Sequence, residues 1–165
     1  MKKIFLAAAI CLAAFMQQGF AQSVPVIRAD SAATQNSPVL TSYYNLKEAL
    51  VKSNSNAATE SAKVLVKAVE KIDKEKVKAE SRNALLADAG AIAQSKDLKV
   101  QREKFATLSV NMFALAKTLK LSAEPIYQQY CPMKKAYWLS SEAAIKNPYY
   151  GNQMLSCGKL TETLK

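Results

Sequence analysis

Two short segments near the C-terminus each pair a thiol with a thioether: Cys131-Pro132-Met133 and Met154-Leu155-Ser156-Cys157-Gly158. Between them lies Asn147-Pro148-Tyr149-Tyr150-Gly151, whose residue types favour chain reversal. If that turn folds the halves together, the four sulfurs converge. Thiolate and thioether donors are soft and select a soft cation of low coordination number, Cu(I) first and Ag(I) as its mimic. The candidate metal ligands are therefore Cys131, Met133, Met154 and Cys157. Other metals fit less well, because the chain has no histidine. A structural zinc site would have to recruit carboxylates such as Glu142, type-one copper leans on imidazole, and iron-sulfur clusters need more thiolates.

The same cysteines support a second chemistry. Two cysteines far apart in an exported chain are most often a disulfide, and closing the loop from Cys131 to Cys157 stabilises by roughly 3 kcal/mol in the chain-entropy account. A reduced pair binds metal and an oxidised pair does not. Met133 and Met154 equally suit core filling, although a disulfide leaves unexplained why each cysteine has a methionine close by. Trp138 and its tyrosine neighbours read as an aromatic plug closing one end of the fold. A Trp138 face against bound Cu(I), a cation-π contact, is the sharper reading.

Catalysis is not expected. Without histidine there is no Cys-His or Ser-His pair, and the chain has neither C-x-x-C nor a Gly-rich phosphate loop. Glu60, Glu70 and Asp73 fall on a solvated helix face. We therefore read the protein as a non-enzyme.

At the other terminus Lys2 and Lys3 precede an apolar run from Ile4 to Met16, followed by Gly19-Phe20-Ala21. This pattern predicts a signal peptide over residues 1–21, cleaved after Ala21 and taking Cys11 with it. The mature protein is then periplasmic or otherwise exported. Without Lys2 and Lys3, the 23 Lys and Arg residues fall to 21 against 13 acids, a net charge of +8. Only Arg28, Arg82 and Arg102 offer the planar fork of nucleic-acid recognition, so we expect no nucleic-acid partner. Lysines spread along the chain read as a solvated face, with weak attraction to anionic lipid or an acidic partner left open. No later segment has the length and apolarity of a membrane span.

Residues 22–40, with two prolines and no period, read as a flexible leader in which Val24, Val26 and Ile27 are free to dock. From Val39 to Glu124 there is no proline and one glycine, Gly90, which predicts helix. The first helix starts near Thr41 or Ser42 and ends at Ser53-Asn54-Ser55-Asn56. The second carries a stripe at Ala58, Ala62, Leu65, Val69 and Ile72, with Lys63, Lys67, Lys71 and Lys74 opposite and Glu70 placed to pair with Lys74. A third runs from Ala79 to Gln94. A fourth opens near Ser95, has Asp97 in its first turn, and turns Leu98, Phe105, Leu108, Met112, Leu115 and Leu119 inward. Each stripe covers about a third of its helix, so a monomer buries them all. Prolines and glycines return after Pro125, where short helical turns are expected at Pro125–Tyr130 and Ser140–Ile145.

The run Tyr43 to Leu50, the segment Arg102 to Leu108, Tyr127-Gln128-Gln129-Tyr130-Cys131-Pro132-Met133, Trp138-Leu139-Ser140, Ile145 to Gly151 and Met154 to Gly158 together resemble the exported domain-of-unknown-function family 3347. The resemblance spans roughly residues 40 to 160, with specific motifs at the C-terminus. Members of that family look like free-standing exported proteins or extensions of periplasmic adaptors from heavy-metal efflux systems. The resemblance thus implies copper handling, carried onto Cys131, Met133, Met154 and Cys157. It also implies an efflux adaptor or another periplasmic protein as partner. Many members have histidine near the first Cys-Met pair, where this chain has Lys134 and Lys135.

The expected architecture is all-α: an up-and-down four-helix bundle over residues 41–165, with the irregular, aromatic-rich segment 125–160 closing one end. The expected role is a periplasmic Cu(I) chaperone or sequestering module. The alternative is a disulfide-stapled helical domain that holds no metal and binds a partner protein.

Overall fold

Ser37 and Pro38 start the first helix. A computed structural model describes residues 36–165, so the segment read as a signal peptide, Cys11 and most of the leader lie outside the described residues. Helix α1 spans Pro38–Val51; the Ser37 side chain accepts the Leu40 N–H at 3.2 Å, and Pro38 occupies the first turn, where a missing N–H costs nothing. The cap therefore precedes Thr41 and Ser42, the expected starts. Ser42 instead donates back to the Pro38 carbonyl at 2.7 Å.

The break falls at Lys52–Asn54, earlier than the expected Ser53–Asn56, because Ser53 takes a φ of 53° and Asn54 caps α2, Ser55–Glu70, through the Ala57 N–H, so that Ser55 and Asn56 are already helical. Helix α3 spans Ala79–Gln94, as expected. Helix α4 spans Leu98–Thr118, with Asp97 as its cap, accepting the Lys99 N–H at 2.8 Å, rather than in its first turn. The α2 stripe is fully buried at Ala58, Ala62, Leu65 and Val69 and half-buried at Ile72. Because α2 ends at Glu70, Lys74 leaves the helix; Glu60 pairs with Lys63 at 2.8 Å, and Glu70 forms no ion pair among the described residues. No described helix is long and apolar enough to cross a membrane.

The helices pack in chain order, α1 on α2, α2 on α3 and α3 on α4. Leu65, Leu85, Ile92, Phe105, Leu108 and Met112 are fully buried between them, each worth about 1.5–3 kcal/mol of transfer energy. Helix α1 departs from the one-third stripe. Val39, Leu40, Tyr43, Tyr44, Leu46, Ala49, Leu50 and Val51 are all buried, and so is Lys47, whose Nζ reaches Glu48 Oε1 at 2.7 Å and Ser140 Oγ at 3.4 Å. A second layer covers the face that α2 leaves free.

That layer corrects the all-α expectation. Residues after Pro125 form a three-stranded antiparallel sheet, β1 Ile126–Cys131, β2 Ala136–Ser140 and β3 Lys159–Leu164, in the order β2-β1-β3. The protein is mainly helical, with four helices and a C-terminal sheet. Strand β1 stands where a helical turn was expected over Pro125–Tyr130; tyrosine and tryptophan favour a pleated, half-buried surface, and Tyr130 packs on Tyr137 across the β1–β2 pair at 4.7 Å. Ser140–Ile145 is not helical either. The buried Gln129 amide donates to the carbonyls of Glu142, Ala143 and Ala144, at 2.9, 3.1 and 3.2 Å, which takes the acceptors a helical turn would use. Between β1 and β3 the register slips at Gln128/Gln129; Thr161 is the extra residue, and its hydroxyl bonds back to the Gln128 carbonyl at 3.0 Å.

A buried chain of hydroxyl hydrogen bonds joins helix and sheet. Ser109 Oγ donates to the Phe105 carbonyl at 2.7 Å, so the Tyr43 hydroxyl donates to Ser109 Oγ at 2.7 Å and accepts the Leu139 N–H at 3.0 Å. Tyr43 also stacks on Phe105 at 5.2 Å, and Tyr149 bridges Phe105 to Trp138 with centroids 6.0 Å from each. A Tyr43→Phe substitution keeps the ring and strands a buried strand N–H, which costs about 1–3 kcal/mol. Urea unfolding of that variant is expected to show a lower midpoint with native helix content; an unchanged midpoint would mean the phenol contributes nothing.

Candidate functional site

Cys131 ends β1 and is fully buried; Cys157 precedes β3 and is half-buried. Both are unbridged thiols, and their side chains neighbour each other. The expectation that the two halves meet therefore holds for the cysteines. Met133, in the Pro132–Lys135 turn, is 62% exposed and Met154 is 36% exposed, so neither methionine fills the core. Among the described residues, no group of three or more His, Cys, Asp or Glu side chains is placed to hold a metal ion.

The residue that assembles this region is Asn147, which the sequence marks only as part of a turn. Its fully buried Nδ2 donates to Cys131 Sγ at 3.2 Å and to the Cys157 carbonyl at 2.7 Å. Its Oδ1 accepts the Tyr149 N–H at 2.8 Å, its own N–H donates to the Leu155 carbonyl at 2.8 Å, and its carbonyl accepts the Gly151 N–H at 3.1 Å. One side chain thus holds the end of β1, the following turn and the approach to β3. Gly151 closes that turn at a φ of +57°; a Cβ there would sit 2.7 Å from both Ser53 Oγ and the Val51 carbonyl. The Asn-Pro pair was the available signal, but it speaks for a turn and not for the partners of the amide.

Cys131 Sγ accepts the Lys134 N–H at 3.4 Å besides the Asn147 amide. The Cys157 thiol is pushed up by desolvation, then by the neighbouring Cys131 charge and a hydrogen bond with Cys131, while the Met133 backbone N–H pulls it the other way. Gly158 lets the backbone beside Cys157 lie against Trp138, since a Cβ there would be 2.7 Å from Cη2 of the indole. The sole tryptophan is consequently a built-in reporter of events at Cys157. Its Nε1 is buried without a hydrogen-bond partner among the described residues.

Two adjacent soft donors suit two chemistries: capture of a thiophilic cation, or two-electron oxidation to a disulfide. Linear coordination of a soft monovalent ion takes two thiolates, and thioethers are weaker, optional donors.

These features define a class, a four-helix domain carrying a dithiol at the junction of a small sheet. Residues 39–124 match the model of a family described as a protein of unknown function (DUF3347), and the chain belongs to that family. The match covers the four helices and stops before β1, so the motif-bearing C-terminal segment lies outside it. No curated protein and no solved structure matches the chain.

A raised thiol holds its proton to higher pH, and the thiolate is the reactive form. Iodoacetamide is expected to modify Cys157 in the native protein slowly at neutral pH, and faster as pH rises through and above the ordinary thiol range. Buried Cys131 stays protected until unfolding. Peptide masses over a pH series check this; equal modification of both cysteines in the native state would contradict the burial of Cys131.

Proposed function

We propose that the protein binds a soft monovalent metal ion, Cu(I) first with Ag(I) as its mimic, in an exported setting, and holds it or passes it to an efflux or storage partner. Cys131 and Cys157 supply the primary thiolates, and Met133 and Met154 are auxiliary thioethers. The observation that carries this reading is the side-by-side placement of the two cysteines. They lie on either side of a turn clamped by Asn147, with a methionine in each flanking loop. The ion is cargo, so no catalytic residue is required and the protein is not an enzyme. Because binding displaces the thiol protons, affinity rises with pH.

A second reading rests on the same adjacency. Oxidation of the pair would staple the end of β1 to the approach to β3 and leave a rigid domain that recognises a partner protein without metal. Met133, Tyr137 and Leu155, all exposed on this part of the fold, would then belong to the recognition surface.

Anaerobic Cu(I) titration of the reduced protein against a chromophoric chelator, with the unreduced protein beside it, separates the two. We expect uptake of a single equivalent only after reduction, accompanied by a change in Trp138 fluorescence. Uptake is abolished in the Cys131→Ser, Cys157→Ser double variant while its helical circular dichroism persists. Met133→Leu or Met154→Leu is expected to weaken binding by roughly tenfold or less, about 1.4 kcal/mol. No uptake in either form, with a mass lower by two hydrogen atoms before reduction, would discard the metal reading in favour of the staple.

A further inference from the structure

A cavity of about 430 Å³ lies beside the same turn, between the start of α4, the Pro132–Lys135 turn and Tyr149–Gln153. Three of its lining residues are cations, Lys99, Arg102 and Lys134, and no carboxylate lines it. Five other lysines, Lys47, Lys63, Lys76, Lys117 and Lys146, have an acidic partner within 4.0 Å, while the remaining lysines among the described residues have none and stand mostly in open solvent. Lys99, Arg102 and Lys134 have none among the described residues. Asp97 uses a carboxylate oxygen on the Lys99 backbone N–H, and Glu103, next to Arg102 in sequence, neither lines the cavity nor forms an ion pair among the described residues.

Arg102 is the fixed point. Its Nε donates to the Pro148 carbonyl at 2.9 Å, and its Nη2 donates to the Leu50 carbonyl at 3.1 Å and to Ser53 Oγ at 2.9 Å. All three acceptors are neutral, and Nη1 has no hydrogen-bond partner among the described residues. The guanidinium is half-buried, and desolvation lowers its pKa, although arginine keeps its charge throughout the accessible range. A partly desolvated cation without a counter-charge is unfavourable, and an arriving anion relieves that cost. Attraction in such a recess exceeds that at an open surface, and a planar guanidinium with a free edge matches phosphate or carboxylate oxygens.

We propose that this cavity binds a small molecule carrying an oxyanion, a phosphate or a carboxylate, seated against Arg102 Nη1 between Lys99 and Lys134. Tyr149 and Tyr150 line the remaining space and suit an aromatic or aliphatic body behind the anionic end; Gln153 adds an amide. The volume is in the range of small-ligand sites. The site is separate from the thiols and does not need the metal reading to hold. It touches them through Lys134, whose backbone N–H donates to Cys131 Sγ, and through Pro148, which follows Asn147.

The test is a heteronuclear NMR titration of the isotope-labelled protein with inorganic phosphate, phenyl phosphate and benzoate, each at constant ionic strength made up with chloride. Saturable shifts are expected at the Lys99, Arg102, Tyr150 and Gln153 amides, with phenyl phosphate binding more tightly than inorganic phosphate. Phosphate and benzoate arms report which oxyanion is preferred. Arg102 also ties the end of α1 to the Pro148 turn, so its replacement risks unfolding. The decisive variant is therefore Lys99→Gln with Lys134→Gln, in which affinity is expected to fall about tenfold through loss of charge-assisted contacts. The Cys157→Ser protein, which loses one thiol and keeps the Lys134 contact with Cys131, is expected to bind the anion as wild type, which distinguishes failure of this site from failure of the thiol site. Shifts no larger than those from chloride alone, or saturable shifts unchanged in the lysine variant, would overturn the proposal.

Discussion

The Tyr43 hydroxyl is fully buried and has two partners that belong to different layers, accepting from the Leu139 N–H of the sheet and donating to Ser109 on α4. A buried strand N–H without an acceptor costs more than the bond itself contributes, so this phenol ties β2 to the helices, beside the Lys47 contact with Ser140. The rings of Tyr43, Phe105, Tyr149 and Trp138 continue the same contact into the C-terminal layer. Since β2 pairs with β1, and β1 ends in Cys131, the location of the buried thiol follows from this joint.

Asn147 then decides how the second thiol reaches the first. An amide can donate twice and accept, and here it does so toward Cys131, Cys157 and Tyr149. The result is a dithiol whose backbone supports are set before any ligand arrives. That rigidity serves either chemistry open to the pair, because it limits the ordering entropy lost on binding an ion or closing a bond. The methionines stand apart from this order. Their exposure leaves them free to approach a ligand, and equally free to take no part.

Cationic residues are distributed unevenly in their surroundings. Most lysines project into water, where unpaired charge is inexpensive, and several pair with a neighbouring acid. Arg102 is different because α1, α4 and the Pro148 turn meet around it. Its hydrogen bonds to the Leu50 carbonyl and Ser53 stabilise the end of α1, whose unsatisfied carbonyls attract a cation. One guanidinium edge thus holds the fold together while another remains available beside Lys99 and Lys134. The family match ends at residue 124, so α4 contributes to the cavity from the matched helices and the turns contribute from outside them.

Helix content was legible because it is a local and periodic property: the spacing of Ala58, Ala62, Leu65 and Val69 predicted the buried stripe, and the α3 boundaries coincide with those read from composition. The turn between Cys131 and Cys157 was legible from Asn147, Pro148 and Gly151, but the meeting of the sulfurs followed from it only as a condition. The sheet was not. Each strand is short, Gln128 and Gln129 interrupt the apolar alternation, and the bulge at Thr161 shifts the register, so the pleat becomes recognisable only when the strands pair. The near-complete burial of α1 was hidden for the same reason, because a helix seen alone does not show that a second layer covers its other face. Sequence by itself determined the four helices and the residues able to do sulfur chemistry. Tertiary structure alone decided that Asn147 joins the thiols, that the methionines remain at the rim, and that three cations share a cavity without an acid, because each depends on contacts between residues far apart in the chain.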